Sequence, residues 1–214
     1  MDRDRRTSHA VRRVSAGRPA YARLMFASWA EALAERLLAQ ALPDRWAHSR
    51  GVGLKARELR LLAGEHADVL EAAAFLHDIG YAPEVRDTGF HPLDGARYLR
   101  NATDAPALVC TLVANHTCAV VEAEGRGLVG WLTAEFPVGE SPEPELVAAI
   151  THCDLSVGPR GTATDAESRI AEILERYGPE GVVYRSIERA RPLLLEQDRW
   201  VRRRLVEVLG GAWS

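Results

Sequence analysis

The sequence has few cysteines and no long apolar run. Cys110, Cys118 and Cys153 are odd in number, scattered and without a C-x-x-C pair, so neither a disulfide framework nor a zinc ribbon is indicated. No stretch approaches the roughly twenty apolar residues that a membrane-spanning helix needs. We therefore expect a cytoplasmic protein without a membrane partner.

Lysine is almost absent, since Lys55 is the only lysine among 27 basic residues. This preference for arginine indicates a GC-rich coding bias more than a design for binding phosphate. The net charge of −3 and the pI near 6.2 provide no global positive field, so we expect no nucleic-acid partner. Any contact with phosphate must be local.

The apolar residues also lack the alternation that is typical of strands. They recur at spacings of three and four, which is the period of an amphipathic helix. We expect an all-α fold, a single-domain helical bundle in which residues 122–144, rich in glycine and proline, are irregular and form a candidate flap. The predicted helices span residues 19–42, 44–63, 65–79, 91–101, 105–115, 144–155, 165–177, 182–190 and 192–209.

The first eighteen residues differ in composition from the rest of the chain. They contain six arginines and no apolar segment of the kind found in a secretory signal. We expect a disordered basic arm over residues 1–18, followed by one helical domain over residues 19–214.

Histidine and aspartate occur in an ordered set of short motifs. His77 and Asp78 are adjacent in F-L-H-D-I-G, near the end of a predicted apolar helix, and a neighbouring imidazole and carboxylate can bind one metal ion. The other motifs are W-A-H-S-R at His48, F-H-P-L-D-G-A at His91, A-N-H-T at His116 and T-H-C-D-L at Asp154.

This order of motifs, between about residues 45 and 158, resembles the HD-domain superfamily of metal-dependent phosphohydrolases, in the subgroup that has two additional histidines. The resemblance implies that Asp78 bridges two metal ions. The ligands implied for the first ion are His48, His77, Asp78 and Asp154, and those for the second are Asp78, His91 and His116.

The resemblance also implies the hydrolysis of a small phosphorylated metabolite, with a nucleotide as the expected class and with His77 and Asp78 as catalytic residues. A divalent metal suits this reaction because it lowers the pKa of bound water to about 7 and neutralises phosphoryl oxygens. Mixed imidazole and carboxylate ligands suit iron, manganese, nickel or zinc, and they do not select among these metals. One or two ions per chain are expected.

Four basic residues lie near the motifs and are candidates for binding the substrate phosphate. They are Arg50, Lys55, Arg86 and Arg97. Each competes with a simpler interpretation, because an exposed arginine commonly covers a helix face with its aliphatic part.

Ligand histidines usually hold their second ring nitrogen in a hydrogen bond. Asp94, Asn115 and Thr117 are candidates for these contacts. His152 precedes Asp154 by two positions and is expected to face away from it on a helix, in the core or behind the ligands.

Two other functions are compatible with the same residues. A di-iron HD-type oxygenase would use a similar ligand set to activate oxygen and cleave a carbon bond, and it would depend on iron and oxygen. A non-catalytic regulator would bind a nucleotide in the metal pocket without forming product.

Overall fold

The computed structural model describes residues 20–211, with side chains for residues 26–210. This part of the chain is helical and has no strand, apart from one isolated β-bridge between Val157 and Ala163. The predicted all-α fold is confirmed. The arm predicted over residues 1–18 lies outside the described residues.

Eleven α-helices follow one another in the described part, and short 3-10 turns join some of them. The turns are Gly64–His66, Ile79–Tyr81 and His116–Cys118. The helices are α1 (Ala20–Leu38), α2 (Pro43–Glu58), α3 (Arg60–Ala63), α4 (Ala67–Leu76), α5 (His91–Ala102), α6 (Ala107–Asn115), α7 (Ala119–Arg126), α8 (Val129–Glu135), α9 (Glu143–Leu155), α10 (Ala166–Tyr177) and α11 (Val182–Gly211).

Helix α4 lies at the centre of the main hydrophobic core. Its second half is an alanine-rich apolar run, which favours a helix and can be buried on most sides. The helix packs against α1, α2, α6 and α9, and Leu70, Phe75 and Leu76 are fully buried. The residues that follow Leu76 therefore emerge inside the molecule.

Two glycines allow helices to approach each other closely. A Cβ atom on Gly53 of α2 would lie 2.4 Å from ring carbons of Phe75 in α4, and one on Gly80 would lie 2.0 Å from the carbonyl oxygen of His91. A side chain at either position would separate these elements. Both contacts bring segments that contain histidine or aspartate together.

Helix α10 and the first half of α11 pack around a second, smaller hydrophobic cluster beside the main core. This cluster contains Leu155 from the end of α9, Ile170 and Ile173 from α10, and Ile187 and Leu194 from α11. It places α10 next to the C-terminal end of α9. None of the helices in residues 20–211 is long and apolar enough to span a membrane.

Two predictions about the helices are wrong. Residues 122–144 are not mainly irregular, because α7 and α8 occupy much of this segment and bury Ala123 and Leu132 in the core. Helix α11 is continuous through Pro192, although a break was expected there. Proline removes one backbone donor, but the packing of α11 against α7, α9 and α10 holds both halves in line.

Candidate metal centre

Six histidine and aspartate side chains converge at one place in the interior. His48 lies on the buried face of α2, Asp154 lies in the last turn of α9, and the others lie at helix ends. His77 and Asp78 directly follow α4, His91 begins α5, and His116 directly follows α6. We call this set the His/Asp cluster: His48, His77, Asp78, His91, His116 and Asp154.

One part of the cluster surrounds His77. The Nε2 atom of His77 lies 3.6 Å from Oδ2 of Asp78 and 3.9 Å from Oδ1 of Asp154. The Nε2 atom of His48 lies 3.0 Å from the same oxygen of Asp154 and 4.0 Å from Oδ2 of Asp78. These separations are close enough for the atoms to share one ion at ordinary ligand distances.

The other part of the cluster surrounds His91. Its Nε2 atom lies 3.4 Å from Oδ1 of Asp78 and 3.2 Å from Nε2 of His116. Potential ligand atoms of Asp78, His91 and His116 all lie within 4.8 Å of one another. Asp78 therefore directs its two oxygens toward different groups of histidines.

Backbone carbonyls orient three of the four imidazoles. The Nδ1 atom of His48 lies 3.1 Å from the carbonyl oxygen of Gly158, and the Nδ1 atoms of His77 and His116 lie 2.8 and 2.7 Å from carbonyl oxygens three residues earlier. A carbonyl can only accept, so each Nδ1 donates its proton. In the neutral ring, the Nε2 lone pair then points into the cluster.

The candidates for these second-nitrogen contacts have other partners. Asp94 accepts hydrogen bonds from the backbone of residues 87–89, and Asn115 donates to the carbonyls of Thr111 and Phe136. Thr117 does reach the cluster, but its hydroxyl donates to Oδ2 of Asp154 rather than to a histidine. Backbone carbonyls of Ala74, Val113 and Gly158 replace the expected side chains, and composition alone gives no signal for them.

Burial and local charge set the protonation of the cluster. Burial lowers the pKa of His77 to about 4 and lowers the pKa of His91 well below its usual value, so both rings are neutral at pH 7. Burial alone would raise the pKa of Asp78, but Arg45 and the surrounding imidazoles outweigh it and hold that pKa well below its usual range. Asp78 is therefore ionised.

The residues present fit a divalent metal. The Nε2 atom of His77 is buried and has no hydrogen-bond partner in the described part of the chain, which is costly for a polar atom. The Nε2 lone pair of neutral His77 faces carboxylate oxygens of Asp78 and Asp154 at 3.6 and 3.9 Å. A cation among them satisfies these lone pairs, and imidazole with carboxylate suits a transition metal.

Arg45 is a residue of the site that the sequence analysis missed. Its Nη1 atom donates to Oδ2 of Asp78 at 2.8 Å, and its guanidinium lies 3.8 Å above the centre of the Tyr81 ring. Tyr81 in turn stacks on the His91 imidazole, with ring centres 4.1 Å apart. A signal existed, because Arg45 precedes His48 by three positions and so shares its helix face.

The four basic residues expected to bind substrate do not line the cavity at the His/Asp cluster. Arg50 pairs with Glu31, Lys55 with Glu58, and Arg97 with Glu135, while Arg86 is exposed in the loop before α5. Although ligand candidates are their neighbours in sequence, Arg50 and Arg86 are exposed, and the half-buried Lys55 and Arg97 pair with carboxylates away from the cluster. His152 lies behind the cluster as expected, buried and 2.6 Å from Oδ1 of Asp198.

The helices of residues 20–211 gather four imidazoles and two carboxylates at one buried place, an arrangement that could hold a metal in a helical bundle. The HD domain family matches residues 45–178, which is more than half of the 214 residues. The chain therefore belongs to the HD domain family, whose members are in general metal-dependent hydrolases. No curated protein and no solved structure gives a significant match to the chain.

Proposed function

We propose that this protein is a metal-dependent phosphohydrolase that acts on a small phosphorylated metabolite, with a nucleotide as the expected class. The observation that carries the proposal is the convergence of buried lone pairs at the His/Asp cluster, including the unpartnered Nε2 of His77. Membership of the HD domain family supports the reaction class.

The geometry supports two ligand groups that share one residue. His48, His77, Asp78 and Asp154 would bind the first ion, and His91 and His116 would bind a second ion together with Asp78. Asp78 suits the shared position because its Oδ2 faces His77 and its Oδ1 faces His91. Arg45 would hold Asp78 in this orientation.

Hydrolysis needs an activated water and neutralisation of charge on the phosphoryl oxygens. A divalent metal bound here would supply both, since it lowers the pKa of bound water to about 7. The chain would hold the reacting groups in place: Asp78 stays ionised at neutral pH, and Thr117 fixes the second oxygen of Asp154 through its hydroxyl. His77 and Asp78 are the residues proposed to act directly in catalysis.

The test combines metal analysis with a screen for phosphate release. Protein prepared without oxygen should contain iron, manganese, nickel or zinc and should release phosphate from nucleotides or sugar phosphates equally with and without air. We expect Asp78→Ala to lower turnover at least about a thousandfold, a barrier increase of roughly 4 kcal/mol.

Three results would contradict the proposal. Turnover that requires both iron and oxygen would identify an oxygenase, and tight nucleotide binding without any product would identify a regulator. An Asp78→Ala protein that keeps the wild-type rate would remove Asp78 from the reaction. Lys55→Gln is a suitable control, because Lys55 pairs with Glu58 away from the cluster.

A further inference from the structure

One face of α10 carries charged residues beside the His/Asp cluster. Asp165 caps the helix by accepting a hydrogen bond from the backbone of Ser168 at 2.9 Å. Arg169, Glu172 and Arg176 then follow at helical spacings of three and four, so they share one face. All three line a cavity next to the His/Asp cluster.

Arg169 is buried with part of its hydrogen-bonding capacity unused. Only 4% of its surface is exposed, and although Glu172 binds its Nη1, its Nε is buried without a partner in the described part of the chain. An unsatisfied buried donor on a charged group costs free energy. Arg169 also lines the cavity beside the His/Asp cluster, so an acceptor that enters this cavity meets its guanidinium group.

Two adjoining cavities connect α10 to the His/Asp cluster. The cavity at the cluster has a volume of about 60 Å³, which is below the roughly 300 to 1,000 Å³ of typical ligand pockets. The neighbouring cavity has a volume of about 280 Å³. The two cavities share four lining residues: Arg45, His48, Arg169 and Arg176. A ligand that extends from the cluster into the neighbouring cavity therefore meets these arginines after a short distance.

The neighbouring cavity is electropositive. Arg160, Arg169 and Arg176 line it against the two carboxylates of Asp44 and Glu172, and Arg45, which also lines it, is paired with Asp78. Arg160 is exposed and forms no hydrogen bond or ion pair with residues 20–211. We call Arg160, Arg169 and Arg176 the arginine cleft.

We propose that the arginine cleft binds a second phosphate group of the substrate, so that the preferred substrates contain at least two linked phosphates. The guanidinium fork matches phosphate oxygens in shape and charge. This inference rests on the proposed function, because it assumes that the first phosphate reacts at the His/Asp cluster.

The reaction balances for such a substrate. A water oxygen attacks the phosphorus at the cluster, and the bond from that phosphorus to the bridging oxygen breaks. The electron pair of the broken bond stays on the phosphate in the arginine cleft, where the guanidinium groups stabilise its charge. The protons of the water pass to the buffer and to the released phosphates.

The experiment uses two phosphonates that cannot be hydrolysed, methylphosphonate and methylenediphosphonate. Their affinities are measured by calorimetry on the full-length protein loaded with Mn²⁺. Wild type should bind the diphosphonate at least tenfold more tightly than the monophosphonate. Arg160→Gln should reduce this preference at least threefold, and Arg169→Gln should abolish it, while the affinity for methylphosphonate changes less than twofold in both.

Control variants distinguish the loss of an arginine in the cleft from the loss of an arginine elsewhere, from a change in metal content and from misfolding. Arg189→Gln changes an arginine of α11 that pairs with Glu124 at the surface, and it should keep the full preference. Metal content is measured for every variant, and chelation of Mn²⁺ by the diphosphonate is the same for all of them. Arg160→Gln keeps the test decisive if Arg169→Gln fails to fold, because Arg160 is exposed.

The outcomes distinguish this inference from the proposed function. Two results would contradict the binding of a second phosphate by the arginine cleft, even if the protein binds metal and releases phosphate. They are equal affinities for the two phosphonates in wild type and an unchanged preference in Arg160→Gln. The protein could instead prefer the diphosphonate through these arginines and yet release no phosphate from any nucleotide. That result would support phosphate binding by the arginine cleft and contradict the proposed hydrolase activity.

Discussion

At the residue scale, Asp78 has an environment different from that of the other carboxylate of the cluster. Its Oδ2 faces His77 at 3.6 Å and Arg45 at 2.8 Å, while its Oδ1 faces His91 at 3.4 Å. Oδ1 of Asp154 lies 3.0 Å from His48 and 3.9 Å from His77, and Asp154 also has a ligand atom within 4.8 Å of one on His116. Because the two oxygens of Asp78 face different histidines, the geometry favours two ions over one.

The second ion can be tested with His91 and His116. Replacing both by alanine should lower the metal content from two ions per chain toward one, because the first group of ligands remains intact. Inductively coupled plasma mass spectrometry measures the content, and circular dichroism checks the fold. An unchanged metal count would assign both histidines a structural role.

The buried histidines make the stability of the metal-free protein depend on pH. Burial lowers the pKa of His77 from 6.5 to about 4. Between these pH values, His77 is protonated in the unfolded chain but stays neutral in the folded chain. Stability therefore falls as the pH drops through this window, by about 3 kcal/mol for this residue. His91 and His152 act in the same direction, since burial also lowers their pKa.

Urea unfolding at pH 7, 6 and 5 with a chelator present measures this dependence. His77→Asn should show a smaller loss of unfolding free energy over the same range than wild type. Asp78 does not obscure the comparison, because a carboxyl with a lowered pKa loses its stabilising effect only below about pH 4. A wild-type stability that stays flat from pH 7 to 5 would contradict the assignment of a neutral buried His77.

At the element scale, the approach of α2 to α4 brings His48 near His77. Gly53 permits this approach, since a Cβ atom there would lie 2.4 Å from the Phe75 ring. Phe75 is fully buried, so its ring has little room to move. The ligand geometry therefore depends on a residue that carries no functional group.

Gly53→Ala should destabilise the protein. Overpacking costs about 1 to 3 kcal/mol, which exceeds the gain of up to about 1 kcal/mol from the better helix propensity of alanine. Gly130→Ala in α8 is the matched control, because no atom lies within 4 Å of its added Cβ, and it should be neutral or stabilising. Thermal unfolding compares the two, and equal stabilities would show that α2 and α4 adjust without cost.

At the scale of the whole molecule, the His/Asp cluster joins segments that are distant in sequence. It connects α2 and α9 with the ends of α4 and α6 and the start of α5. An ion that binds only the folded arrangement stabilises it by mass action. Metal should therefore act as a cross-link for most of the core.

Adding Mn²⁺ at about one hundred times its dissociation constant should stabilise the protein by about 2.7 kcal/mol. For a chain of 214 residues, this corresponds to a rise of roughly 5 to 10 °C in the unfolding midpoint. Scanning calorimetry of chelated and metal-loaded protein measures the shift, and His48→Ala should reduce it. An identical shift in His48→Ala would place the binding site elsewhere.

Much of the fold and the cluster could be predicted because their signals are local. Helical spacing of apolar residues indicated most of the helices, and the resemblance of the ordered motifs to the HD-domain superfamily implied that the histidines and aspartates converge. The helices α7 and α8 were missed because glycine and proline obscure a pattern whose burial depends on distant partners. Pro192 misled the prediction for the same reason, since only packing shows that α11 continues through it.

The sequence by itself determined the all-α class, because helix periodicity is a property of neighbouring residues, and it carries the histidine and aspartate motifs whose resemblance to the HD-domain superfamily implied the cluster. Only the tertiary structure decided which basic residues lie near the cluster. Arg50 and Arg97 are near in sequence but pair with Glu31 and Glu135 instead, whereas Arg169 and Arg176 line the cavity because α10 packs against α9 and α11. A side chain's direction is fixed by the helix face that its neighbours bury, and that choice is made by long-range contacts.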